Sequence, residues 1–214
     1  MRLAPTGKAR HSGNVRLAAA MALALALLVA ATPASARTDG WTPHPVAGAG
    51  FTVSAPDTWV NVTRLSPQIL EKAKQIPSLA AFADLAKRSK TVKLVLVDTG
   101  TTTIENHYAT NMNVVVVPTL GDLRLLRDVS VAQLKSAGVV IGDLASSYVT
   151  LPAGRAVQLQ YRAQYTPSTP IVFLLQYLLI HHGNSVVLTY TTLPKLRTTY
   201  SGVFARSART LQFR

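Results

Sequence analysis

The stretch FLLQYLLIHHGNSVVLTYTT, residues 173–192, is the most apolar after residue 36 and sets two histidines side by side. Its apolar part before the histidines is only about ten residues long, half of what a membrane-spanning helix requires, and Gln176 interrupts it. The second run, VVLTYTT, is rich in the β-branched and aromatic residues that favour strands. Gly183-Asn184 accepts positive φ readily, which suits a tight hairpin turn. The stretch therefore predicts two paired strands, 171–180 and 186–192, with the histidines at the turn.

The adjacent histidines at this turn raise the question of a metal site. Neighbouring residues on a strand point to opposite faces, so we expect the imidazoles of His181 and His182 to diverge. A zinc site needs a third and fourth ligand, and beyond residue 36 the sequence adds only His44 and His107, with no cysteine. We therefore predict a solvated turn, with no metal and no other cofactor.

Further strands are predicted on the N-terminal side of this hairpin. FTVSAP (51–56) is a short strand ended by its proline, and the β-branched runs at 94–98 and 111–118 are typical of buried strands. From residue 156 the chain alternates, and one face carries Val157, Leu159, Tyr161, Ala163 and Tyr165.

Helices are predicted between and after these strands. Residues 66–88 predict two short helices or one kinked helix, and Ser130 is expected to cap a short helix that Gly138 ends. Leu196, Tyr200 and Phe204 mark the apolar face of a closing helix over 195–210. The predicted fold class is α+β, an α/β/α sandwich whose central, mainly antiparallel sheet is covered by helices.

The N-terminal region has the features of a secretory signal peptide. A basic segment precedes the apolar run 17–31, which is too short for a comfortable transmembrane helix, and Ala34-Ser35-Ala36 is a small-x-small cleavage site. We predict a signal peptide over 1–36 cleaved between Ala36 and Arg37, a flexible lead-in over 37–50 and a single domain over 51–214. Without cysteine, neither disulfides nor a lipoprotein anchor are expected, so the mature protein is predicted to be secreted or associated with the cell wall.

The charge is strongly positive. The formal net charge is +13, and removing the four cations of the predicted signal peptide leaves +9. The anions outside a cytoplasmic membrane are lipid headgroups and wall polymers rather than nucleic acid, so this charge indicates weak attraction to the envelope or only solubility. A basic region contributes to it, and the alternative for that region is an ordinary charged helical face: Lys72, Lys74, Lys87, Arg88, Lys90 and Lys93.

No motif of a known catalytic class appears. The sequence has no G-x-S-x-G elbow, no P-loop and no G-x-G-x-x-G fingerprint, and its acids form no pair on a recognisable element. The best polar candidate is Glu105-Asn106-His107-Tyr108, expected in a loop or hairpin connection between two buried strands, although a solvated loop explains it as well. Together with Trp59, Lys87 and Arg88, Glu105, His107 and Tyr108 form the predicted ligand or partner surface.

Three segments resemble the PsbP-like and Mog-type α/β/α sandwich family. FTVSAPDTW resembles the family's opening strand running into P-x-G-W, with Pro56 and Trp59 matching and Thr58 where glycine is common. LPAGRAVQLQYRA resembles its strand after a glycine turn, and the 173–192 hairpin precedes a closing helix that ends in VFARSARTLQF. The chain is also similar to secreted relatives of the LpqN-type lipoproteins of actinobacteria. The resemblance implies an accessory protein with no shared catalytic motif.

The leading hypothesis is an exported, non-enzymatic binding protein of the cell envelope that engages a partner protein or an amphiphilic molecule such as a lipid or glycolipid. A second hypothesis is an envelope hydrolase or transferase with His107 as its base. A third is a structural wall component held by charge. No nucleic-acid partner and no transmembrane segment in the mature chain are expected.

Overall fold

The computed structural model describes residues 40–64 and 89–213. The predicted signal peptide, its cleavage site and the predicted helices over 66–88 lie outside the described residues, as do Lys87 and Arg88. The strands are β1 (Trp41–Val46), β2 (Phe51–Pro56), β3 (Trp59–Asn61), β4 (Val92–Asp98), β5 (Asn111–Pro118), β6 (Val140–Leu151), β7 (Gly154–Ala163), β8 (Val172–His181), β9 (Asn184–Thr192) and β10 (Gln212–Phe213). The helices are α1 (Thr101–Asn106), α2 (Leu123–Ser136) and α3 (Arg197–Arg209), with 3₁₀ turns at Val62–Arg64 and Pro194–Leu196.

Seven of these strands form one antiparallel sheet in the order β3-β4-β5-β9-β8-β7-β6. A smaller antiparallel sheet has the order β1-β2-β10. The small sheet and α3 pack on one face of the large sheet, and α2 packs on the other. The α+β sandwich expected from the sequence is therefore confirmed.

The hairpin predicted over residues 173–192 is present as β8 and β9. His181 pairs with Asn184, so the two turn residues are His182 and Gly183, with φ of 45° and 72°. Positive φ at both central positions is what a type I′ turn requires, and it matches the twist of the strands. The predicted hairpin is confirmed, but the turn begins one residue earlier than Gly183-Asn184.

The predicted divergence of the two histidines is wrong. The rings of His181 and His182 touch edge to face, with centroids 4.0 Å apart. The strand rule fails because His182 is a turn residue with left-handed backbone, which brings its side chain back over the strand end.

The region expected to be a flexible lead-in contains a strand. Residues 41–46 pair with β2 along their whole length, from Trp41 opposite Pro56 to Val46 opposite Phe51. Pro43 and Pro45 hid this strand in the sequence, because proline is tolerated in a sheet only at an edge, and β1 is an edge strand.

The predictions for two segments that form helices also need correction. The segment after Asp98, expected to be a loop or hairpin, contains the short helix α1. Ser130 lies inside α2, which begins at Leu123 and is capped by Asp122, whose carboxylate accepts from the Leu125 N–H at 2.8 Å. Asp is as good an N-cap as Ser, so local preference alone did not choose between them.

The closing helix is confirmed and fixes the small sheet to the large one. On α3, Tyr200, Phe204 and Ala208 are buried in the core between the two sheets. The Ser207 hydroxyl donates to the Ser54 carbonyl of β2 at 2.7 Å and accepts from Tyr190 of β9 at 3.0 Å. This double contact joins a strand of each sheet to α3.

Candidate functional site

A cavity of about 480 Å³ opens where α3 meets the ends of both sheets. We call it the tryptophan pocket, and its defining residues are Trp41, Asp57, Trp59, Asp98, Tyr200 and Arg206. The chain contains two tryptophans, and both line this cavity.

Strand register brings these residues together. β1 places Trp41 beside Pro56 at the end of β2, and β3 places Trp59 opposite Asp98 at the end of β4. Paired residues of antiparallel strands present their side chains on the same face, so the indole and the carboxylate are neighbours. The turn between β2 and β3 adds Asp57, and α3 closes the remaining side.

Gly40 is required for the position of Asp57. A Cβ atom built on Gly40 would lie 2.2 Å from a carboxylate oxygen of Asp57, which real contacts do not allow. The Asp57 N–H donates to the Gly40 carbonyl at 3.1 Å, and its carboxylate accepts from the Thr42 hydroxyl. The start of β1 therefore holds the Asp57 carboxylate in the pocket wall.

The floor of the pocket is an aromatic cluster. Trp59 is 4% exposed and meets Phe204 edge to face, with centroids 6.4 Å apart. Phe204 stacks in turn on Tyr190 and Tyr200, at 4.9 and 5.8 Å. Such ring pairs stabilise the fold beyond the area they bury and leave the floor few alternative rotamers.

A buried carboxylate lies beside this floor. Asp98 is 5% exposed, and its oxygens accept from the Tyr200 hydroxyl at 2.5 Å and the Gly100 N–H at 2.9 Å. Burial, with the nearby charge of Asp98, raises the pKa of Tyr200 well above its usual value. Tyr200 thus remains protonated at neutral pH and donates to the carboxylate, which is oriented and partly neutralised by two donors.

The rim combines an apolar ring with a cation. The guanidinium of Arg206 lies over the half-buried indole of Trp41, 4.3 Å from its centroid. This cation–π contact holds the ring at the mouth. The pocket thus offers two indoles for apolar contact, two carboxylates that accept hydrogen bonds and one guanidinium that donates them.

The pocket contains one of the residues predicted as a ligand surface. Trp59 lines it, but as a buried floor residue rather than an exposed contact. Glu105 and His107 are exposed at the end of α1 and lie outside the lining. The structure does not bring them together with Trp59.

Tyr108 belongs to another part of the molecule. It is 2% exposed and packs in the apolar cluster beneath α2, together with Tyr161 and Leu174. Burial raises the pKa of its hydroxyl well above the usual value. The predicted polar segment 105–108 therefore divides, because two of its side chains face solvent and Tyr108 is anchored in the core.

Five defining residues of the pocket were not predicted: Trp41, Asp57, Asp98, Tyr200 and Arg206. One signal was available, because Asp57 directly follows β2 and Asp98 ends β4, and aspartate is uncommon in strands. Within residues 40–64 and 89–213, no three His, Asp or Glu side chains come together as a metal site. No helix in these ranges is both long and apolar enough to cross a membrane.

No protein-family model matches the chain, and no curated protein matches it in sequence. Among solved structures, it is similar to the cyanobacterial PsbP protein CyanoP from Synechocystis, with 13% identity, a TM-score of 0.52, and coverage of 86% of this chain and 99% of that one. The Saccharomyces cerevisiae Ran-binding protein Mog1p matches with 12% identity, a TM-score of 0.50, and coverage of 82% and 96%. LpqN, involved in cell envelope biogenesis of Mycobacterium tuberculosis, matches at 14% identity with a TM-score of 0.48 over 81% and 90%. The chain has the fold of the PsbP-like and Mog-type proteins, as its sequence indicated.

Proposed function

We propose that this protein is an exported, non-enzymatic binding protein of the cell envelope that holds an amphiphilic molecule in the tryptophan pocket. The observation that carries the proposal is the pocket itself, where both tryptophans of the chain surround a cavity with a buried, oriented carboxylate. Export rests on the signal peptide predicted from the sequence.

The size and chemistry of the pocket support a small ligand. Ligand cavities of about 300–1,000 Å³ are mostly apolar with a few convergent polar groups, and this cavity has about 480 Å³. An apolar portion of the ligand fits against Trp41 and Trp59, while hydroxyl groups donate to Asp57 or Asp98. A lipid or glycolipid that carries both kinds of group meets these requirements.

A partner protein is the second candidate for the same site. Mog1p, which shares the fold, is named a Ran-binding protein. An exposed side chain of a partner, such as an aromatic ring or a basic group, would fill a cavity of this size. The two candidates differ in whether the purified protein carries a bound molecule.

A hydrolase based on His107 has less support. His107 is exposed, has a left-handed backbone with φ of 49° and does not line the tryptophan pocket. Replacing it by Asn, which tolerates this φ, should leave binding intact. Loss of turnover on an envelope substrate in that variant would instead favour the enzyme.

The first experiment is native mass spectrometry of the protein secreted from a bacterial host and purified without detergent. A mass excess that matches a lipid or glycolipid supports the proposal. A bare mass, together with crosslinking of a single protein on intact cells, would favour the partner protein.

Tryptophan fluorescence locates the binding, because both fluorophores lie in the pocket. Titration with octyl glucoside below its critical micelle concentration should shift the emission to the blue as indole loses contact with water. Arg206→Ala should weaken the response, whereas Arg209→Ala, an exposed change on the same helix, is the matched control. Equal responses in all variants would place the binding elsewhere.

A further inference from the structure

A second cavity, of about 440 Å³, lies at the opposite ends of the strands that build the tryptophan pocket. We call it the histidine–lysine groove, defined by Lys90, Lys93, His181 and His182. The β1–β2 turn over residues 47–50 forms one side, and the β8–β9 turn forms another. The start of β4 completes the groove.

Sheet register accounts for this meeting of basic groups. β5 lies between β4 and β9, with Val115 opposite both Val92 and Val187, so β4 and β9 begin at the same end of the sheet. The register shifts between Val92 and Leu94, and Lys93 is the residue in this irregularity. A bulge of this kind redirects a side chain, and here the lysine lines the groove.

Among the described residues, the groove is lined by cations without matching acids. Neither Asp nor Glu occurs in this described part of the lining. In the described part of the chain the ion pairs are those of Asp128 with Arg124 and Arg127, so Lys90 and Lys93 have no carboxylate partner there. Like charges held close together repel unless an anion lies between them.

The histidines are held in place beside these lysines. The ring of His181 stacks on Phe213, with centroids 3.7 Å apart and planes 9° apart, and meets His182 edge to face. Burial, followed by the nearness of His182, lowers the pKa of His181, so its imidazole is uncharged at neutral pH and offers an N–H to an acceptor. Within the part of the chain that the structure describes, the position of the ring is set by stacking rather than by a polar partner.

The facing turn leaves access to these groups. Gly48 and Gly50 have φ of 67° and 68°, and no atom lies within 4 Å of where a Cβ would be on either glycine. This left-handed backbone favours glycine, so the turn contributes no large side chain over the groove. An oxyanion can therefore approach the ammonium and imidazole groups.

We propose that the histidine–lysine groove binds a phosphate anion, and that the anionic phospholipid headgroup is its source. Several N–H donors that have no acceptor among the described residues are placed around one cavity, and they match the several acceptor oxygens of a phosphate. This site is separate from the tryptophan pocket, and its occupancy does not depend on the function proposed for that pocket.

The test measures co-sedimentation of the protein with vesicles of phosphatidylcholine alone and with 30% phosphatidylglycerol. Binding is expected only to the anionic vesicles. A lysine near such a surface contributes about 1 kcal/mol, so Lys90→Gln with Lys93→Gln should weaken binding roughly 20- to 30-fold. Unchanged tryptophan emission would show that the double variant is folded, because both indoles lie in the other cavity.

The matched control is Lys135→Gln with Lys195→Gln, which removes the same charge from exposed positions outside the groove. Full binding by the control and loss by the groove variant support the proposal. Equal weakening in both variants overturns it, since the general charge would then explain the binding.

A second arm separates the two sources of phosphate. Inorganic phosphate is titrated while the imidazole signals of His181 and His182 are followed by NMR. Shifts with phosphate but no binding to vesicles support the anion site and assign it to a free anion. No response to either probe overturns the site.

Discussion

The tryptophan pocket and the histidine–lysine groove lie at opposite ends of β4 and of the β1–β2 hairpin, and they are built differently. In the pocket, Trp59, Asp98 and Tyr200 are each at most 6% exposed and also belong to the contacts that hold the fold. In the groove, Lys90 and His182 are exposed. The floor of the pocket is therefore part of the core, whereas the groove is lined partly by exposed side chains.

The two regions also differ in charge. Within the described residues, two of the nine acids of the chain line the pocket with one arginine, while the titratable side chains that line the groove are two lysines and two histidines. The net charge of +13 therefore says little about either region. A ligand therefore contacts carboxylates and an arginine at one end of the strands, and lysines and histidines at the other end.

The largest effect is expected for Phe204→Ala. Phe204 is 0% exposed and contacts Trp59, Tyr190 and Tyr200, so truncation leaves a cavity beneath the pocket. The free energy of unfolding in urea should fall by about 3–5 kcal/mol. The emission of Trp59 should move to the red as water enters.

Phosphate binding at the histidine–lysine groove should be unchanged in Phe204→Ala while that variant remains folded. Ser201→Ala on the exposed side of α3 is the control and should alter stability by less than about 0.5 kcal/mol. A loss below about 1 kcal/mol for Phe204→Ala would mean that the pocket floor is not a core element, and the contrast between the two regions would disappear.

The next effect is on stability at alkaline pH. The pKa is raised by burial at six of the seven tyrosines: Tyr108, Tyr161, Tyr165, Tyr177, Tyr190 and Tyr200. Above about pH 10 the tyrosine hydroxyls lose their protons first in the unfolded chain, because their pKa values are higher in the folded protein. The stability present below pH 10 therefore falls as pH rises towards these raised pKa values. The urea midpoint should decrease from pH 8 to pH 11.

The variant Tyr200→Phe tests how much of the loss of stability at alkaline pH comes from the pocket. At pH 8 it should cost about 1–3 kcal/mol, because Asp98 loses a donor while remaining buried. Its further loss of stability between pH 8 and pH 11 should be smaller than in the wild type. Tyr148→Phe, which removes an exposed hydroxyl, is the matched control, and identical curves for the two variants would contradict a role for the Tyr200–Asp98 pair.

The parts of the fold that the sequence predicted are those with local periodicity. The alternation in β7 buries Val157, Leu159 and Tyr161, and Gln158 and Gln160 lie on the other face, as expected. The apolar face of α3 was predicted from its spacing, with Tyr200 and Phe204 buried. Period 2 and period 3.6 are properties of consecutive residues, so they are readable without knowing what packs against them.

The candidate site depends on non-local pairing and was mostly missed. Trp41 becomes a pocket residue because β1 pairs with β2, a strand that its two prolines concealed. Asp98 and Tyr200 are 102 positions apart, and nothing in either segment indicates their hydrogen bond. Trp59 belongs to the predicted surface, but its place in the floor follows from contact with a helix at the other end of the chain.

The smallest effect is expected at the groove, in the turn that closes the hairpin. His182 has φ of 45° and precedes Gly183 with φ of 72°. A β-branched residue is strained in this conformation, so His182→Val should cost about 1–2 kcal/mol. Asparagine before glycine is the preferred pair for a type I′ turn, so His182→Asn should be neutral or stabilising by about 0.5 kcal/mol. Urea unfolding checks both, and equal stability of the two variants would contradict the left-handed turn. The expected pattern would show that the His182 imidazole is dispensable for the fold, unlike the buried side chains of the pocket.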